Sequence, residues 1–273
     1  MYKRYKKEPI LQFVEHLNTL FPNEERKGRN IKEITFQVTE DCCMRCTYCY
    51  QHNKTSHKMA FEVAKKFIDK LLNNEYDKIN ESNTFGVVFS FIGGEPLMEI
   101  ELINQIWTYF IDQMIEKNHP WLFFNRFSIC SNGLLYFNEN VQNFINKYHT
   151  MGELTFSIDG NKELHDACRV DVVGNGTYDR AVAAMKSYAS LTGKMPSTKM
   201  TLSPDNIYYT KEAVINLINL GYIDIFLNCI FEKGWTYEHA KILYQQLKEL
   251  SDYIIDNDLY NKVYISMFKE NLF

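Results

Sequence analysis

The sequence predicts an α/β fold on a parallel sheet, and three observations carry that prediction. From residue 31 onward, strand-like runs alternate with helix-like runs six times, with no hairpin signal between strands. The strands are also two-faced: Thr35, Gln37 and Thr39 oppose Ile34, Phe36 and Val38, and Thr155, Ser157 and Asp159 oppose Leu154, Phe156 and Ile158. Lys199, Thr201 and Ser203 repeat the pattern in the fifth strand. Parallel strands buried on both faces read as continuous apolar runs. Period-two alternation therefore predicts helices on one side of the sheet and a polar space on the other. The last observation is that every chemically suggestive segment falls at the C-terminal end of a strand, where α/β folds gather their active-site loops. The expected architecture is a partial, TIM-like (β/α)6 barrel with a short N-terminal helical extension.

Residues 1–30 read as that extension, with a helix near Ile10–Leu20 and a charged connector over Pro22–Asn30. An accessory helix closing the barrel bottom is the expected role. The barrel is expected over 31–258. Its strands are Ile31–Thr39, Phe85–Ile92, Leu122–Cys130, Glu153–Ile158, Ser197–Ser203 and Asp224–Glu232. Its helices are Met59–Asn73, Leu97–Asn118, Glu139–Tyr148, Tyr178–Leu191, Tyr209–Leu220 and Tyr237–Asp256. In the last helix Ala240, Leu243, Leu247, Leu250 and Ile254 form one apolar stripe. Gly221 stands where a helix C-cap glycine is expected. Residues 259–273 read as the start of a C-terminal extension, with strand character over Val263–Phe268.

Composition narrows the function classes. Apolar residues make up 45% and charged residues 23%, as in a globular protein with a substantial core. Net charge is −4, and beyond a short Lys3–Lys7 cluster there is no basic run, so no nucleic-acid partner is expected. Apolar runs are strand-sized, short of the ~20 residues of a membrane span, so no membrane is expected either. Seven cysteines, an odd number, with three packed in one loop, argue against a secreted disulfide framework and for a cytoplasmic location.

Those three are Cys42, Cys46 and Cys49, spaced Cys-x3-Cys-x2-Cys after the first strand. Three thiolates leave an iron–sulfur cube one ligand short, with an iron open for chemistry. With His52 the same stretch also spells a tetrahedral zinc site. Gly93-Gly94-Glu95-Pro96 ends the second strand. Its glycines allow close backbone approach, and its carbonyls and carboxylate suit a cationic amine. A plain strand-to-helix turn with proline at the helix start is the other reading. Arg169 has the fork that binds a carboxylate through two hydrogen bonds, or it pairs with Asp166 or Asp171. Ser131, Asn132, Ser157 and Asp159 are short polar groups at strand ends. Cys43 reads as a spectator thiol, and Cys130, Cys168 and Cys229 as buried packing.

The cysteine loop, Gly93–Pro96, Ser131-Asn132-Gly133, Ser157–Gly160, His165-Asp166 with Arg169, and Ser203–Asn206 fall in one order over roughly residues 31 to 232. That set resembles the radical S-adenosylmethionine superfamily, and within it the SPASM-type peptide maturases, most of all the branch acting on cysteine-repeat peptides. The resemblance implies a radical SAM barrel holding a [4Fe-4S] cluster on Cys42, Cys46 and Cys49. S-adenosyl-L-methionine would chelate the fourth iron, and an electron would cleave it to a 5′-deoxyadenosyl radical. Its ammonium is implied at Gly93, Gly94 and Glu95, and its carboxylate at Arg169. Its adenine is implied near Tyr48, Asn228 and Ile230, and its ribose or methionine part near Ser131, Asn132, Ser157 and Asp159. No further catalytic residue is implied.

The expected function is that of an oxidoreductase abstracting hydrogen from a ribosomally synthesised precursor peptide, forming thioether or related crosslinks. Flavodoxin or ferredoxin would supply electrons. A formylglycine-generating sulfatase maturase shares the same motifs, and a non-catalytic zinc- or partner-binding barrel fragment is the reading from another class. The family's SPASM-type cysteine-rich region is absent from these 273 residues, which read as a truncated form.

Overall fold

The computed structural model describes residues 30–75, 84–232 and 234–268. The helix expected at Ile10–Leu20 lies outside the described residues. Among the described residues, seven strands form a parallel sheet whose order follows the sequence, β1 to β7. They are β1 Asn30–Thr39, β2 Thr84–Gly93, β3 Asn125–Ser131, β4 Gly152–Phe156, β5 Thr198–Leu202, β6 Asp224–Cys229 and β7 Tyr264–Ile265. The helices are α1 Phe61–Leu72, α2 Ile100–Glu116, α3 Glu139–Tyr148, α4 Lys162–Cys168, α5 Tyr178–Thr192, α6 Thr210–Asn219 and α7 Tyr237–Asp256. The alternation of strand and helix is as the sequence predicts. No described helix is long and apolar enough to cross a membrane.

The chain gathers into two compact units interleaved in sequence. The first holds the described residues up to Glu40, Ser56–Ile129 and Asn138–Glu153. In it β1 and β2 pair from Ile31↔Gly86 to Thr39↔Gly93, and β2 pairs β3 from Val87↔Asn125 to Phe91↔Ile129. Ile34, Phe36 and Val38 of β1 are buried while Thr35 and Gln37 are exposed, as expected, but Thr39, expected on the polar face, is buried as well. The apolar side is aromatic: Phe89 stacks on Phe110 at 4.1 Å, and Trp107 meets Phe127 edge-on at 5.3 Å. Such pairs add about 0.5–1.5 kcal/mol each beyond their buried area.

The second unit holds Asp41–Thr55, Cys130–Phe137 and the chain from Leu154 onward. Strand β5 pairs β6 from Thr198↔Ile225 to Leu202↔Cys229, and β6 pairs the short β7. Phe156 lies between Tyr136 and Tyr188, at 6.1 and 5.8 Å, over a core that includes Met200, Leu217 and Ile225.

Several elements differ from the sequence reading, among them α2, which starts at Ile100 after a 3-10 turn, and β6, which ends at Cys229. Leu122 does not start β3: Pro120–Phe123 is a 3-10 turn, set by Pro120 in its first turn and by His119, whose ring accepts from the Trp121 N–H. Helix α4 is additional, capped by the Asn161 side chain accepting from the Leu164 N–H at 2.9 Å. The strand character of Val263–Phe268 reduces to two residues and a 3-10 turn.

Candidate functional site

The cysteine loop lies wholly in the second unit, and its backbone is pinned to the segment after α4. Arg45 N–H donates to the Val170 carbonyl at 2.8 Å and Thr47 N–H to the Cys168 carbonyl at 2.9 Å. Met44, 1% exposed, bridges to Asp171. The Asp41 carboxylate accepts the Cys42 N–H at 2.7 Å, and the Cys49 N–H bonds the Cys46 carbonyl at 3.1 Å. The fold of the loop is thus fixed by main-chain bonds, and none of its cysteines is in a disulfide.

The thiols sit in different surroundings. Cys42 is buried. A hydrogen bond from Cys43 lowers its pKa to about 6 against the effect of burial, with help from the Met44 N–H and the charges of Lys54 and Arg45. Cys46 packs against Tyr48, Cys168 and Ile230, and burial pushes its thiol up to about 11. The Lys54 ammonium donates to the Cys49 sulfur at 3.3 Å. Among the described residues, no three Cys, His, Asp or Glu side chains are already arranged as metal ligands. His52, the fourth member of the zinc reading, is exposed. The donor set nevertheless fits a cluster: three thiols outside any disulfide on one constrained loop, where a bound metal would itself deprotonate the buried Cys46.

Beside the loop lies a buried charge pair. Arg169, at the C-terminal end of α4, donates from Nε to Asp159 Oδ2 at 2.8 Å and from Nη2 to Oδ1 at 3.4 Å. Their side chains are 9% and 1% exposed. Asp159 also accepts the Thr201 N–H at 2.9 Å and the Tyr48 hydroxyl. Arg169 reaches Thr201 Oγ1 at 3.4 Å and lies 5.4 Å from the centre of the Tyr48 ring. Burial opposes the guanidinium charge most strongly, but the Asp159 carboxylate, Tyr48 and Cys46 together more than offset it, so that the Arg169 pKa is raised. Burial likewise drives the Tyr48 phenol well above its ordinary value.

The alternative surface pairs of Arg169, with Asp166 or Asp171, do not form. Asp166 accepts the N–H groups of Thr177 and Tyr178, and Asp171 pairs with Arg180 at 2.6 Å. His165 supports the pair from behind. Its Nδ1 accepts the Asp159 N–H at 3.2 Å, and its Nε2 meets Thr177 Oγ1 at 3.0 Å. Burial lowers its pKa to about 4, with the Arg169 charge acting in the same sense.

Ser131 Oγ accepts the Gly133 N–H at 2.9 Å, and the Ser131 carbonyl accepts the Ser157 N–H at the same distance. Asn132 turns its amide to the cysteine loop, donating to Cys43 Sγ at 3.4 Å and Cys42 Sγ at 3.9 Å. Cys43 is therefore in contact with Asn132 rather than isolated. Ser157 Oγ lies 3.7 Å from Cys130 Sγ. Asn228 is exposed on β6, while Ile230 lies just past the strand, buried against Tyr48 and Cys168.

In the first unit, Gly93 ends β2 against β1: a Cβ there would sit 2.3 Å from the Thr39 carbonyl oxygen. Gly94 N–H donates to that same oxygen at 3.0 Å. Glu95, 1% exposed, accepts the Leu97 N–H at 3.0 Å and caps the 3-10 turn Pro96–Glu99. The strand-to-helix turn is thus present. Sequence reasoning missed the contacts of Thr177 and Lys54; a lone threonine and a lone lysine in loops carry no spacing signal.

Residues 28–165 match the family described as 4Fe-4S single cluster domain. The chain belongs to this family, a radical S-adenosylmethionine-type domain. A curated relative, an uncharacterized protein of Methanocaldococcus jannaschii, is 30% identical over 70% of this chain and 60% of its own length. The cysteine-type anaerobic sulfatase-maturating enzyme of Clostridium novyi is 26% identical over 58% of this chain and 40% of its own. The chain thus spans less than two thirds of the length of these relatives. Among solved structures, native anSMEcpe with bound AdoMet and Kp18Cys peptide superposes with a TM-score of 0.70 at 20% identity, covering 87% of this chain and 64% of that one. The fold is shared with that structure.

Proposed function

We propose that the chain is the cluster-bearing part of a radical S-adenosylmethionine maturase that abstracts hydrogen from a ribosomally synthesised peptide and so forms a crosslink of the thioether class. The observation that supports this most is the cysteine loop, pinned by its backbone to Cys168–Asp171 beside the buried Arg169–Asp159 pair. The family match over residues 28–165 includes that loop. When bound, the cluster and S-adenosyl-L-methionine supply an electron-driven cleavage that yields methionine and a hydrogen-abstracting 5′-deoxyadenosyl radical.

The protein's part is to hold and orient. Cys42, Cys46 and Cys49 hold the cluster. Asp159 and Thr201 take up Nε and Nη2 of Arg169, and the Nη1 edge is what those bonds leave for the cofactor carboxylate. Glu95 with Gly93 and Gly94 is proposed for the ammonium. Tyr48, Asn228 and Ile230 are proposed for the adenine, and Ser131, Asn132, Ser157 and Asp159 for the ribose and methionine part. Residues 31–258 are proposed as the working core, with 1–30 and 259–273 as extensions. A flavodoxin or ferredoxin is the proposed electron donor, in the cytoplasm.

A second reading, formylglycine formation in a sulfatase, is favoured by the similarity to the C. novyi enzyme. Co-expression with a Cys-rich candidate precursor and with a sulfatase peptide, followed by mass spectrometry, separates the two. A loss of about 2 Da per crosslink, two hydrogens, on the precursor supports the first reading. Conversion of cysteine to formylglycine on the sulfatase peptide alone replaces it with the second.

A further inference from the structure

The cluster loop carries one charged donor on a ligand sulfur. Lys54 Nζ lies 3.3 Å from Cys49 Sγ. The Met44 N–H on Cys42 at 3.4 Å, the Cys43 thiol on Cys42 and the Asn132 amide on Cys43 and Cys42 are by contrast neutral donors. Arg45, the loop's other cation, is turned away, with Nη1 on the carbonyls of Cys42 and Met44 at 2.7 and 2.8 Å. A turn closed by His52 N–H on the Tyr50 carbonyl at 3.0 Å bends the chain after Cys49. Of the residues behind that turn, His52, Asn53, Thr55 and Ser56 are exposed, while Lys54 is half-buried. The contact thus draws one long cationic side chain in from a solvent-facing segment, in a chain whose net charge is −4.

We propose that Lys54 is a positioning residue for the cluster: its ammonium on the Cys49 sulfur stabilises the reduced state and raises the reduction potential. The inference rests on the cluster reading above. Three thiolates around the cube make the site anionic, and the incoming electron adds a further negative charge. A cation at hydrogen-bond distance from a ligand sulfur favours the more negative state, and hydrogen bonds to sulfur and local charge are the levers by which a protein sets such potentials. The consequence is an easier first electron transfer from the reductant.

The test uses the 273-residue protein, reconstituted anaerobically with iron and sulfide, in wild-type, Lys54→Met and Lys54→Arg forms. Iron content is measured first, and the potential is then read by EPR-monitored redox titration. Lys54→Met is expected to keep its iron and to show about a tenfold lower reduced-to-oxidised ratio at a fixed ambient potential, equal to about 59 mV for a one-electron couple. Lys54→Arg, which keeps the charge, should titrate close to wild type. A full cluster with an unshifted potential in Lys54→Met overturns the inference and leaves the cluster reading standing. So does a shift in Lys54→Arg as large as in Lys54→Met. Loss of iron in Lys54→Met makes Lys54 a support of the loop rather than a tuner, and equally overturns it. Wild type without iron removes the cluster reading and this inference together.

Discussion

Removing the guanidinium of Arg169 should be among the most damaging single changes in the second unit. Asp159 is 1% exposed, and its partners are Arg169, the Thr201 N–H and the Tyr48 hydroxyl. Arg169→Met deletes both Arg169–Asp159 bonds and the bond to Thr201, leaving a buried carboxylate without its counter-charge. Breaking one side of such a pair costs about 3–5 kcal/mol, because the remaining ion is desolvated and unpaired. That is a large share of the ~5–15 kcal/mol that typically separates folded from unfolded states. Urea denaturation followed by tryptophan fluorescence measures it. At an m-value of about 3 kcal/mol per molar, the midpoint should fall by ~1–1.7 M. Arg180→Met provides the contrast: it breaks the pair with Asp171 in which the arginine side chain is 49% exposed. Exposed pairs are worth under about 1 kcal/mol, so that midpoint should move by less than ~0.3 M. Equal shifts in the two variants would show that the buried Arg169–Asp159 pair contributes no more than the exposed one.

Three further outcomes are expected. His165 is buried, and its pKa is lowered from 6.5 to about 4, so the unfolded chain binds the extra proton. Its stabilising contribution is complete above pH ~6.5 and is lost as pH falls toward ~4. The loss is on the order of 3 kcal/mol, and it should flatten in His165→Gln when denaturation is followed against pH. Gly93→Ala places a Cβ 2.3 Å from the Thr39 carbonyl oxygen; a destabilisation of about 1–3 kcal/mol by thermal unfolding is expected, and a neutral result would show that β1 and β2 can part there. Glu95→Gln keeps an oxygen to cap Leu97 but loses the charge. Calorimetry of the reconstituted protein should show S-adenosyl-L-methionine binding weakened tenfold or more, by about 1.5–3 kcal/mol, with iron unchanged. Unaltered binding would leave Glu95 with its capping role alone.

What the sequence made legible follows local chemistry. Helices α3 and α7 begin where the sequence places them, because Asn138 and Thr236 are side-chain N-caps. The apolar stripe of α7 has buried members in Leu250 and Ile254. The alternation in β1 holds from Ile34 to Val38 because one face packs and the other does not. Pairings set by tertiary structure were not legible. Arg169 has carboxylates nearer in sequence in Asp166 and Asp171, yet pairs with Asp159 because α4, too short to show a helical period, carries it back to the end of β4. Asp166 is instead satisfied by the N–H groups at the start of α5. The Lys54 contact depends on a turn that the residue types of that loop do not announce.

Metal analysis with EPR of anaerobically reconstituted protein decides whether Cys42, Cys46 and Cys49 are cluster ligands. Wild type should bind about four irons and four sulfides per chain and show a reducible [4Fe-4S] signal. The triple variant Cys42→Ala, Cys46→Ala, Cys49→Ala should lose the iron and the brown colour, while Cys43→Ala and Cys168→Ala keep them. Zinc in place of iron in the wild type, or iron retained by the triple variant, would contradict their assignment as cluster ligands.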